Sequence, residues 1–96
     1  MKDDEKRFLI DIYNRCHNGY LKKDGISVKD LIQEEVFYIN HKRAYTLLEK
    51  WSRKGWYEYG VSVRVGWLQP EGIAKAKELI AHGRESIPKE DTFSDG

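Results

Sequence analysis

With 96 residues, 40% of them hydrophobic and twelve aromatic, the chain has material for one small core and not for a second domain. No run approaches the ~20 apolar residues that cross a bilayer, and the polar, mixed-charge residues 1–7 do not read as a signal peptide. Net charge is only +1, yet residues 41–64 carry +4 while the rest balances or leans acidic, so cationic surface is concentrated in one block. The single cysteine, Cys16, cannot form an internal disulfide, which points to a reducing, cytoplasmic setting. In residues 4–17, Phe8, Leu9, Ile12, Tyr13 and Cys16 recur at helical spacing. Acidic residues open this first helix to suit its dipole, and Asn18-Gly19 offers a stop. After a connector, Ser27 and Asp30 form a capping box for a second helix reaching about Glu35 or Val36. The apolar run Val36-Phe37-Tyr38-Ile39 is β-prone in isolation. Between two helical patterns it reads as the turn that plugs their junction.

Asn40 is a good N-cap, and Ala44, Leu47, Leu48 and Trp51 then fall on one helical face, with Gly55 at the C-terminal cap position. This is the third helix, over about 41–54. From Trp56 the period changes to two, with Tyr57, Tyr59, Val61, Val63, Val65 and Trp67 alternating with polar or small residues. That pattern predicts a hairpin over 56–68, turning near residues 60–63, with Gly66 marking a bulge. Pro70 opens a last helix with the stripe Ile73, Ala76, Leu79 and Ile80, ended by Gly83. Residues 84–96 are polar and acidic and read as a disordered tail, so the expected division is a domain over 1–83 and a tail over 84–96.

The order helix, helix, helix, hairpin, helix resembles the winged helix-turn-helix family. So do three local pieces. Residues 39–51, Ile39-Asn40-His41-Lys42-Arg43-Ala44-Tyr45-Thr46-Leu47-Leu48-Glu49-Lys50-Trp51, look like the family's recognition-helix segment. Arg53-Lys54-Gly55-Trp56-Tyr57-Glu58 resembles the passage into its wing. Trp67-Leu68-Gln69-Pro70-Glu71-Gly72 is similar to the Leu-Thr-Pro-Glu-Gly by which many bacterial regulators leave the wing. Two departures stand out. The stretch 28–39 is about two residues longer than the family's and lacks its turn glycine, and the wing is short, with Arg64 as its only basic residue.

The resemblance implies an α+β fold: a three-helix core, a short β-hairpin wing and a C-terminal helix. It also implies sequence-specific binding of double-stranded DNA, as a transcriptional regulator and commonly as a homodimer. At 100° per residue the third helix places Lys42, Thr46, Glu49 and Arg53 opposite its apolar stripe, flanked by Arg43, Tyr45 and Lys50. In a recognition helix Lys42, Arg43, Tyr45 and Thr46 would reach base edges, while Lys50, Arg53 and Arg64 would meet phosphates. Tyr45 reads equally as a partly buried ring. Glu49 would repel phosphate; it either accepts from a cytosine amino group or, the favoured reading, pairs with Arg53 at i,i+4. Trp51, Trp56 and Trp67 read as core between helix and hairpin. His41 and His82 have no acidic or Cys partner at metal-ligand spacing, and no phosphate loop, nucleophile elbow or paired-carboxylate motif is present. The expectation is therefore a non-enzymatic DNA binder without cofactor or metal and with no membrane partner. The alternative is a winged-helix module that binds protein.

Overall fold

The computed structural model describes residues 1–16 and 25–92, and its side chains through residue 83 apart from those of 17–24 and Glu35. The first helix, α1, spans Asp3–Arg15 and buries Phe8, Leu9 and Ile12 completely. It ends when Cys16 turns extended; the Ile26 N–H then donates to the Arg15 carbonyl at 2.9 Å, pairing Cys16 with Ile26 as a single parallel bridge. The helix thus stops short of residue 17, and the Asn18-Gly19 stop and residues 20–24 of the connector lie outside the described residues.

Ser27 caps the second helix as expected, accepting from the Asp30 N–H at 3.1 Å. The α-helical part of α2 is only Val28–Asp30, and the chain continues as a π-helical turn over Leu31–Glu35, closed by the Val36 N–H on the Leu31 carbonyl. This corrects the expected uninterrupted α-helix. A π turn holds more residues per turn than an α turn, and across it Val28, Leu31 and Ile32 still face the core. Val36 and Ile39 plug the junction from a segment that forms no strand, and Phe37 between them points outward.

The third helix, α3, spans His41–Arg53. The Asn40 side chain accepts from the Arg43 N–H at 2.8 Å. At its far end Gly55 adopts φ +81°, while the Trp56 N–H reaches the Trp51 carbonyl and the Gly55 N–H the Ser52 carbonyl. That paired pattern is a Schellman cap and needs the left-handed glycine. Ala44, Leu47, Leu48 and Trp51 are buried, with the Trp51 ring 5.6 Å from that of Phe8.

A two-stranded antiparallel hairpin follows, β1 (Tyr57–Tyr59) and β2 (Gly66–Leu68), with Tyr57 opposite Leu68 and Tyr59 opposite Gly66. The chain reverses through residues 60–65, and the Val65 N–H closes a turn on the Ser62 carbonyl, slightly later than expected. Gly66 is no bulge. It sits in register, and a Cβ there would collide with the Glu58 carbonyl oxygen and lie 2.6 Å from Cζ and the hydroxyl oxygen of Tyr57. The Tyr57 hydroxyl passes beneath it to donate to the Val63 carbonyl at 2.7 Å. Of the three tryptophans only Trp51 is fully buried, with Trp56 and Trp67 half-buried.

The last helix, α4, spans Pro70–Thr92 and packs along α1. Its Gly72 abuts the Trp56 backbone, which locks helix to hairpin. The helix runs through Gly83 instead of ending there, because Gly83 does not take the positive φ of a capping glycine. A glycine inside a helix costs only about 1 kcal/mol relative to alanine. Residues 93–96 of the expected tail lie outside the described residues. The described residues form an α+β arrangement of four helices and one antiparallel hairpin, a layout consistent with a winged helix.

Candidate nucleic-acid interface

The burial of Ala44, Leu47, Leu48 and Trp51 fixes the rotation of α3 and turns Lys42, Thr46, Glu49 and Arg53 to solvent in one row. The Thr46 hydroxyl donates to the Lys42 carbonyl at 2.9 Å, leaving it as an acceptor toward the outside. Among the described residues Glu49 forms no ion pair, so the expected Glu49–Arg53 pairing is absent and both side chains stand exposed.

The flank toward α1 is organised by two carboxylates that sequence reasoning assigned only to the helix dipole. Arg43 makes a two-pronged contact with Asp4, Nε to Oδ2 at 2.6 Å and Nη2 to Oδ1 at 3.0 Å. Its guanidinium therefore turns toward α1 and does not extend from the outer face with Lys42. Glu5 is 3% exposed, and one of its oxygens accepts from both the Trp51 indole Nε1 (3.0 Å) and Lys50 Nζ (3.2 Å). The Arg43 hydrogen bond holds the Asp4 carboxyl below its usual range. Burial alone would raise Glu5, but the hydrogen bonds from Trp51 and Lys50 outweigh it and the carboxyl is held low. A signal for Glu5 was present in the sequence: it stands three and four residues before Phe8 and Leu9, on the same helical face.

The opposite flank faces the hairpin. Tyr45 is half-buried, with the Arg64 guanidinium 5.2 Å from its ring centroid and the His41 ring edge-on at 6.4 Å. Helix and hairpin thus meet through a cation–π contact, so two residues predicted separately, Tyr45 and Arg64, lie together. Lys54 packs over Trp56 at 4.6 Å and extends the cationic surface toward the base of the hairpin.

A second cluster escaped the sequence reading. The Tyr38 hydroxyl donates to Asp11 Oδ2, and Arg7 lies 4.1 Å from the Tyr38 ring centroid and 5.7 Å from that of Phe37. Burial, reinforced by the Asp11 carboxylate, pushes the Tyr38 phenol upward. The junction turn is thereby pinned to α1. Among the described residues no three His, Cys, Asp or Glu side chains gather as a metal site, and no helix is long and apolar enough to cross a membrane.

Two adjoining clefts border α3. One of about 520 Å³ lies between the first turn of α1 and α3, lined by Lys2, Glu5, Arg43, Thr46 and Lys50 among others. The other, about 290 Å³, is lined by Asn40, Lys42, Arg43 and Thr46. Compared with known proteins, the chain matches no family model, no curated protein and no solved structure.

Proposed function

We propose that the chain is a winged helix-turn-helix protein that binds double-stranded DNA, with α3 in the major groove and the hairpin as its wing. It acts by occupying a site, as a transcriptional regulator in the cytoplasm, and performs no chemistry. One observation carries this reading: Lys42, Thr46 and Arg53 stand exposed in a row on α3, with Glu49 among them as an acceptor for a cytosine amino group, and Arg64 of the hairpin lies over Tyr45 beside that surface. Lys42 and Thr46 near the start of the helix are placed to select sequence. Arg53 and Arg64, with Arg43 and Lys50 on the α1 flank, supply phosphate contacts. A homodimer fits a footprint of this size.

Phe37, 84% exposed at the junction turn, and fully exposed Val61 in the hairpin loop favour a second reading, a module that docks on protein. Electrophoretic mobility shift on random-sequence duplex at low and moderate salt separates the two. The DNA reading expects a shift that weakens steeply with salt; a protein module shows none.

A further inference from the structure

The acidic first turn of α1 sits beside the cationic flank of α3, and the cleft between them has a composition that pairing alone does not explain. Asp4 engages two of the five N–H donors of Arg43, and Glu5 engages one of the three on Lys50. Both cations keep donors for an outside acceptor, and the Lys50 side chain is 41% exposed. Lys2, on the opposite lip, is exposed and forms no ion pair among the described residues. Three cations therefore line a cleft whose one lining carboxylate is the buried Glu5, while Asp4 holds Arg43 from outside the lining. Through Arg43 and Thr46 this cleft opens onto the second one beside Lys42, so the basic lining continues onto the outer face of α3.

We propose that this cleft seats a backbone phosphate of duplex DNA, with Lys2, Arg43 and Lys50 as its cations and with Asp4 and Glu5 as positioning residues that pre-set the last two. The proposal rests on the duplex-binding reading and adds α1 to the contact surface. A phosphodiester is an anion with two free oxygens, so it suits the divergent donors of an arginine and two lysines. The placement also fits a groove. Arg64 borders α3 on the hairpin flank and the cleft borders it on the other, so a duplex against Lys42 and Thr46 would bring one backbone to each side. Carboxylates pre-set Arg43 and Lys50, so less side-chain freedom is lost on binding than for unanchored chains.

The test is the salt dependence of binding to a short labelled duplex of mixed sequence, followed by fluorescence anisotropy for the unaltered protein, Lys2→Ala and Lys77→Ala. Lys2 and Lys77 are both exposed, and Lys77 lies on α4 away from the cleft. Lys2→Ala should keep the melting temperature, weaken binding to all duplexes alike and lower the log–log salt slope by about 0.9, the value for one phosphate contact. Lys77→Ala should leave the slope unchanged. A Lys2→Ala slope equal to that of the unaltered protein, or an equal drop for Lys77→Ala, overturns the seat and leaves duplex binding standing. An unaltered protein that binds no duplex overturns both.

Discussion

Removing the Glu5 carboxylate leaves the Trp51 indole N–H buried without its acceptor and Lys50 without its partner. Glu5→Leu should therefore cost about 1–3 kcal/mol in urea unfolding, the usual penalty of an unsatisfied buried polar group. Asp4→Ala, which removes a partner from a solvent-screened pair about one-third exposed, should lower the urea midpoint far less than Glu5→Leu does. The two carboxyls also fix the sign of the acid response. Folding holds both below their ordinary range, so their contribution is complete above the unfolded carboxylate pKa of about 4 and is lost as pH falls through the lower folded values. Urea midpoints measured from neutral to acid pH should converge for the unaltered protein and Glu5→Leu; a gap that stays constant would show that ionised Glu5 adds nothing. Sequence reading named Arg43 and Lys50 but missed what holds them, because partners 39 and 45 residues apart leave no trace in local spacing.

At the scale of elements, glycines give the sharpest contrasts. Gly66→Ala pushes a methyl against the Glu58 carbonyl oxygen and the Tyr57 phenol on the facing strand, whereas a Cβ at Gly60 meets nothing within 4 Å. Gly66→Ala should lower the melting temperature by several degrees, since overpacking typically costs about 1–3 kcal/mol. Gly60→Ala should leave it level or raise it slightly by restricting the unfolded chain. Equal effects would contradict the observed hairpin register. The described core residues and those packed on them end at Leu79, so truncation after Gly83 should shift the melting temperature little, and a large drop would mean that the rest of α4 packs on the domain. The elements with strong punctuation were legible: Asn40 and Gly55 bracket α3, and Pro70 opens α4. The π turn was not, because a ladder one residue wider keeps the same apolar residues inward and changes no composition. Gly66 was misread as a bulge because the need for glycine came from the Glu58 carbonyl and the Tyr57 phenol on the facing strand.

At the scale of the molecule, the basic block at 41–64 resolves into cations with different duties. Arg43 and Lys50 bind α1, Arg64 leans on Tyr45, and Lys42 and Arg53 stand exposed on the outer face. Charge counting located the block, and helical periodicity found the outer row; which cations are held by carboxylates depended on how α1 packs. This division decides which variants test binding without harming the fold. Lys50→Ala strips a buried carboxylate of its cation and is a poor probe, whereas Lys42 and Arg53 can be removed at little cost to stability. Single replacement of Lys42 should change which sequences are preferred, read by competition between duplexes. The most direct test of duplex binding through α3 is the salt slope of affinity for the unaltered protein and the double variant Lys42→Ala/Arg53→Ala. The unaltered protein should bind with a steep slope, and the double variant should melt at the same temperature, bind more weakly and lose about one unit of slope through Arg53. Unchanged affinity and slope in the double variant, or no salt-sensitive duplex binding by the unaltered protein, would contradict it.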